Sequence, residues 1–378
     1  MKKKMKKKMK KKNMVMKMNN PNLKLKLEDI LKYAEKSINT SISLRKVKDI
    51  VIEQESREYH ARPQHHTMIV SPFGTFKTAT LKQIKETVGE DAVAPDSFTI
   101  PSFYGTITKN GDFVKGIIFN CGGKVLLIDE YNNLKYDVQT SMLSILETQQ
   151  IERALGFVLR REVKEENEFI RLHAYDNMIK GEVNFSVIAF SMNFHLYTQK
   201  LYALLSRFSP VFLQMDAETA RRYLKGAKLF NIEDSAKKCI ARVPKQDWYE
   251  FVDFSTDYLK TNLLYPQEIG FYNRATNDAV RFALHSLLTS IKDTEINKEL
   301  IITYDLLKLN FPYFLIQLQM YQQAPRTKAD MLLSLLEVYP DKSYEFYAEM
   351  LGTTPKYVEK LFYELRNLKL RNGEKNGS

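Results

Sequence analysis

Lys77 and Thr78 close a short loop that follows the apolar run HTMIV and precedes a helical pattern, within the segment IVSPFGTFKTATLKQI. An ammonium group and a hydroxyl at the start of a helix, just after a strand, are the groups a polyphosphate needs. Backbone amides and the helix N-terminus surround the phosphates, the lysine reaches the outer ones, and the hydroxyl ligates magnesium. The loop reads Ser71, Pro72, Phe73, Gly74, Thr75, Phe76, and it departs from the strict GxxxxGK-Ser/Thr pattern because Ser71 and Phe76 stand where glycines belong. About fifty residues later, the apolar run Val125 to Ile128 leads into Asp129 and Glu130. Two acids there would sit at the carboxyl end of a buried strand, where an open parallel sheet places its ligands. One can hold hydrated magnesium together with Thr78, and the next can polarise an attacking water. The plainer readings are a strand-turn-helix with a chance Lys-Thr pair and an exposed strand-to-helix turn.

These residues need elements to position them. From about 66 to 214 short apolar runs (66–70, 124–128, 185–190, 210–215) alternate with helical patterns, which predicts an α/β fold with a mainly parallel sheet. Residues 23–57 carry apolar positions at helical spacing (Leu27, Ile30, Leu31, Ala34, then Val47, Ile50, Val51) on either side of a Ser/Thr/Asn stretch at 37–43, and predict two short helices. Between the two chemical motifs, Asn110-Gly111 flanked by GTIT and DFVKG predicts a β-hairpin with positive φ at both turn residues. Residues 216–322 read as helical with few strand signals. The last fifty read helix, helix, turn, helix, with Gly352 closing one helix, Thr354 as N-cap and Pro355 at the first position of the next. The expected division is a basic tail (1–20), a short helical segment (21–60), an α/β core (61–215), a helical subdomain (216–322) and a C-terminal domain (323–372).

The order of these elements is similar to that of the MCM-like, hairpin-bearing AAA+ ATPases over roughly residues 66–290. Gly74, Lys77 and Thr78 fit the AAA+ loop GxxGxGK-Ser/Thr, and the segment looks like the minichromosome maintenance loop GDPGxAKS, whose last glycine is already replaced. The hairpin before the acidic strand, with Gly105, Gly116 and Gly122-Gly123, follows the family's order, as does LSILETQQIERALGF leading toward a second hairpin at about 151–184. The segment ALLSRFSPVFLQMD is similar to the family's LLSRFDL. The resemblance implies an AAA+ core with a helical lid and a C-terminal winged helix, binding ATP and Mg2+ and working as a hexameric homo-oligomeric ring on DNA. It implies that Glu130 activates water and that Asn193, after FSVIAF, is sensor 1. Arg207 would be an arginine finger for the neighbouring subunit, and Arg274 the sensor-2 arginine, with Arg281 as its alternative. Lys109 and Lys115 on the first hairpin and Arg160 and Arg161 on the second would contact DNA. Lys356 and Lys360 would do so on the recognition helix, beside Arg366, Lys369, Tyr357 and Tyr363. The zinc and OB-fold half of MCM helicases has no counterpart in the first sixty residues.

Composition sets the bounds. With 378 residues, 44% hydrophobic and 12% aromatic, the chain can bury a sizeable core. The net charge of +12 suggests an anionic partner, but nine lysines lie in MKKKMKKKMKKK and the rest carries only +3. That tract reads as a solvated extension, or as an upstream start with Met14, Met16 and Met18 as later ones, or as a DNA-clinging arm. Without an apolar run long enough to cross a bilayer, or the apolar segment of a signal peptide, a cytoplasmic protein without membrane attachment is expected. Cys121 and Cys239 read as reduced, buried thiols. The leading function is an ATP-driven ring motor on DNA, of the helicase or replication and mobile-element kind. The rivals are a MoxR-like protein remodeller and a weakly hydrolysing, ATP-gated assembly platform.

Overall fold

The stretch Ser37–Ser43 lies inside a helix, not at a break between two. In the computed structural model α1 spans Leu27–Ser43 without interruption. The hydroxyls that predict a break are all engaged. Thr40 and Ser43 bond the carbonyls of Lys36 and Asn39, while Ser37 and Ser41 bond Thr67 at 2.7 and 2.8 Å. The second expected helix is strand β1, Val47–Glu53, whose Val and Ile residues suit a half-buried pleat. Residues 25–71, 75–191, 207–213, 217–225, 228–261, 269–291, 299–323, 342–351 and 353–374, with 329, 332 and 336, are the ones the structure describes.

After β1 come β2 (Glu58–Ala61), β3 (His66–Val70), α2 (Thr75–Val88) and β4 (Ala92–Val93). Then follow α3 (Ile100–Tyr104), β5 (Gly105–Ile107), β6 (Phe113–Lys115), β7 (Val125–Ile128) and α4 (Tyr136–Thr148). Strands β8 (Gln150–Ala154), β9 (Val163–Asn167), β10 (Ile170–Tyr175) and β11 (Met178–Val183) precede β12 (Ser186–Ser191) and β13 (Ser209–Phe212). The remainder is α5 (Ala217–Leu224), β14 (Cys239–Val243), α6 (Lys245–Thr261), α7 (Ile269–Ser290), β15 (Glu299–Ile301), α8 (Tyr304–Gln323), α9 (Tyr344–Met350) and α10 (Pro355–Glu374).

The expected α/β core is present as a parallel five-stranded sheet in the order β13-β3-β12-β7-β4. Strands β3, β12 and β7 are buried on both faces. Ile69, Val125, Leu127, Ile188 and Phe190 pack with Tyr33 and Ile38 of α1 and Phe76 and Ile84 of α2. Met68, Leu126, Ile128, Val187 and Ala189 face Val138, Met142 and Leu143 of α4. Near-continuous apolar strands such as VLLI follow from this double coverage.

Residues 216–322 contribute strands as well as helices. β14 and β15 join β1 and β2 in a second sheet, β15-β14-β1-β2, so segments about two hundred residues apart share one ladder. Residues 150–183 form not one long hairpin but a four-stranded antiparallel sheet, β8-β11-β10-β9. At the carboxyl end α9 packs on α10 through Tyr344, Tyr347 and Phe362, and Thr354 Oγ1 accepts from the Tyr357 amide, as an N-cap does; Gly352 lies outside the described residues. Among the described residues no helix is long and apolar enough to cross a membrane.

Candidate functional site

The carboxyl edge of the parallel sheet gathers the first set of predicted residues. β3 ends at Val70, and the Ser71 amide donates to the carbonyl of Ser191, the last residue of β12, at 3.0 Å. Pro72, Phe73 and Gly74 lie outside the described residues; Thr75 opens α2. Phe76 is almost fully buried, in the cluster with Ile69, Ile84 and Phe230. Its bulk therefore goes into the core rather than into the loop. Ser71 is also buried, and its hydroxyl finds no partner among the described residues.

Lys77 is 5% exposed on the first turn of α2. Burial lowers its pKa, and the charges of Asp129 and Glu130 draw it partly back up. The acids that follow β7 and the lysine of α2 thus face one another electrostatically, although they are about fifty residues apart. Thr78, Asp129 and Glu130 are exposed. A cation and a hydroxyl on the first turn of a helix, with two carboxylates at a strand end of the same sheet edge, fit a magnesium-bound polyphosphate by the chemistry of the donors. Thr78 and Asp129 are the residues that would hold the metal.

Glu130 adopts φ 51° and ψ 51°, a left-handed conformation that non-glycine residues seldom take. Its carboxylate accepts from Asn133 Nδ2 at 2.6 Å, and its carbonyl from the Asn133 amide at 2.8 Å. Asn132 meets the Ser191 hydroxyl at 3.2 Å, tying the end of β12 to the turn after β7. The Tyr-Asn-Asn triplet after the acids is the sequence signal for this tie, and sequence reasoning passed over it. Asn193 lies outside the described residues.

Arg207 and Arg274 sit at the other edge. β13 runs parallel to β3 with Ser209 opposite Thr67, so Arg207 lies where the strands begin. Four residue steps along β3 separate that edge from Val70, roughly 13 Å at the ordinary strand rise. Arg207 Nε donates to the carbonyl of Leu143 at 2.7 Å, and its guanidinium meets the exposed carboxylate of Glu147. Arg274 donates to the Arg207 carbonyl at 2.9 Å and pairs with Asp278 at 3.2 Å. Arg281 also bonds Asp278, at 2.5 Å, and the Arg62 carbonyl. No described contact brings either arginine to Lys77.

Asp278 is a buried hub. It accepts from Ser209 at 2.6 Å and from Gln317 at 2.5 Å, and lies 3.2 Å from His65 Nδ1. Burial alone would push its carboxyl up, but Arg274, His65 and Arg281 outweigh that and hold it well below the usual carboxylate range. Ser37, His65 and Asp278 are linked in the order of a hydrolytic triad, yet all three are 0% exposed. Sealed from any substrate, they fasten α1, β3 and α7 together.

The two insertions predicted to reach DNA meet. Ile107 pairs with Phe113, and the Gly111 amide donates to the Thr108 carbonyl at 2.9 Å. The hairpin is present, but only Gly111 takes positive φ, at 81°, so the turn is a three-residue loop ending in a left-handed glycine. The Arg160 amide donates to the Gly111 carbonyl at 3.0 Å, and a Cβ at Gly111 would lie 2.6 Å from Arg160 Cγ. Lys109, Arg160 and Arg161 are exposed beside Phe157 and Val158, which are 61% and 67% exposed. Lys115 pairs with Glu165 at 2.6 Å. Lys356 and Lys360 are exposed on α10 with Tyr357 and Tyr363, and Lys360 lies 3.7 Å from Glu364. The side chains of Arg366 and Lys369 are not among the described ones.

Comparison with known protein families finds no match, and no curated protein matches the chain.

Proposed function

We propose that the chain is an ATP-hydrolysing motor of the MCM-like AAA+ kind, assembled as a homo-oligomeric ring with shared sites and acting on DNA. The observation that carries this reading is Lys77, 5% exposed on the first turn of α2, in the field of Asp129 and Glu130 at the carboxyl edge of the parallel sheet.

In this reading the first turn of α2 and Lys77 bind the triphosphate and orient it. Thr78 and Asp129 hold Mg2+, which supplies charge neutralisation at the phosphate oxygens. Glu130 takes the proton of the attacking water, for which its carboxylate must turn from Asn133. The left-handed backbone of Glu130 is strain of the kind that collects at active sites. Arg207 completes the site of a neighbour, because its own chain places it at the opposite edge of the sheet. The exposed Lys109, Arg160 and Arg161, on two joined loops, offer a cationic surface with apolar tips to a nucleic-acid strand. The helical lid and the winged helix belong to the same reading.

A second reading, an assembly platform that binds ATP and hydrolyses it slowly, is favoured by the departure of the loop from the glycine pattern at Ser71, since the Phe76 side chain goes into the core. ATP turnover measured alone, with single-stranded DNA and with duplex DNA tests both. The motor reading expects DNA-stimulated hydrolysis. Turnover below about 1 per second that DNA leaves unchanged supports the platform, and absence of ATP binding overturns both.

A further inference from the structure

Helix α4 ends at the amino edge of the parallel sheet and carries no basic residue in its own last turn. Two arginines from elsewhere in the chain converge on it. Arg62, from the segment before β3, donates Nη1 to the Leu146 carbonyl at 3.3 Å. Arg207, from the segment before β13, donates to the Leu143 carbonyl, one turn away. A helix C-terminus attracts cations, with a negative end worth about half an elementary charge. That accounts for one guanidinium, not for two.

The charge balance of this edge is uneven. Among the described residues, Arg62, Arg207, Arg274 and Arg281 stand against Asp278 and Glu147 in the ion pairs of this edge. Asp278 is shared by Arg274 and Arg281, and Glu147 meets Arg207. Among the described residues Arg62 has no carboxylate within ion-pair distance, although it is half-buried. Burial lowers the Arg62 pKa, and Arg274 lowers it further. Burial lowers the Arg207 pKa too, followed by Arg274 and then Arg62. Concentrated positive charge with little compensation is a receptor for an anion, and paired guanidinium forks suit phosphate oxygens.

We propose that Arg62 joins Arg207 as a second trans-acting cation, the two guanidiniums receiving the terminal phosphates of a nucleotide held at Lys77 of a neighbouring copy. This rests on the shared-site ATPase reading given above. The chain's own nucleotide is excluded as the occupant by the sheet, whose carboxyl edge carries Lys77 while Arg62 and Arg207 lie at the amino edge. Glu147, 59% exposed, is the carboxylate that Arg207 would exchange for the phosphate.

The test uses Arg62→Gln, which keeps a donor for the Leu146 carbonyl and removes the charge, with Arg62→Lys as the charge-retaining control. Full-length Arg62→Gln should bind ATP with an affinity within about twofold of the parent, melt at a similar temperature, and turn over at least about tenfold more slowly. Arg62→Lys should recover part of that loss. Mixing Arg62→Gln with Glu130→Gln should restore turnover above that of either, because some interfaces then pair an intact Glu130 with an intact Arg62. Wild-type turnover of Arg62→Gln overturns the inference. So does a mixture without gain, when Arg207→Ala mixed with Glu130→Gln does gain; Arg62 then acts within its own chain. If neither mixture gains, the shared site itself fails, and the assignment of Arg62 with it.

Discussion

In the proposed ATPase Glu130 and Lys77 divide the work of one site, so their substitutions should separate. Lys77→Ala removes a phosphate contact and should abolish ATP binding. Glu130→Gln keeps the shape and loses the base; calorimetry should show binding retained while turnover falls to background. If Glu130→Gln hydrolysed ATP at the parent rate, the general-base role would be wrong. Lys36 is legible at this scale too. It donates to Ser286 at 2.6 Å between α1 and α7, and burial pushes its pKa down to about 7. The unfolded chain holds that proton up to about pH 10.4. Between the two values the unfolded state binds more protons, so stability rises with pH there, and the burial penalty is full below about 7. His285 beside it is held neutral by burial and then by Lys36, and stays outside this window. Lys36→Met should therefore raise the melting temperature at pH 6.5, with the gain shrinking toward pH 10. A gain independent of pH would remove Lys36 as its source.

The joined loops make one cationic element of what the sequence offers as two. If that element contacts DNA, Lys109→Ala with Arg160→Ala should weaken binding and lower the salt slope by roughly two charges' worth, since each neutralised phosphate releases counterions. Lys115→Ala should change the slope less, because Glu165 already engages it. Equal slopes in all variants would return these side chains to a solvated surface. Gly111→Ala should loosen the joint through its positive φ and the Arg160 stem, with a loss of about 1 kcal/mol or more. The hairpin itself was legible because Asn-Gly between β-branched flanks is a local signal; the exact φ pattern was not, since one residue more in the loop changes the turn. The strands of the core were legible because burial on both faces leaves continuous apolar runs. The pairing of β1 with β14 was not, because Val47, Ile50 and Val51 fit helical spacing as well as a pleat and the partner strand lies about two hundred residues away. The length of α1 is not legible locally for a related reason: partners for Ser37 and Ser41 come from Thr67 and His65, which no window around residue 40 contains.

In the proposed ring, the two edges of one parallel sheet carry complementary halves of a site. Lys77, Asp129 and Glu130 were readable as chemistry from their residue types. The arginines were readable only by likeness, and their proposed role draws support from the sheet register that puts Arg207 beside the start of β3. The Asp278 hub was hidden, because each of its partners is an ordinary polar residue until α1, β3, β13, α7 and α8 converge on it. A site split across opposite edges can work only between copies. The most direct measurement mixes Arg207→Ala with Glu130→Gln, after each is shown to assemble and to exchange subunits, and follows ATP turnover. Each variant alone should bind ATP and turn over by about 10³-fold or more below the parent. The mixture should regain part of the activity, because some interfaces join an intact Glu130 to an intact Arg207. A mixture as inactive as its two components would contradict the shared site.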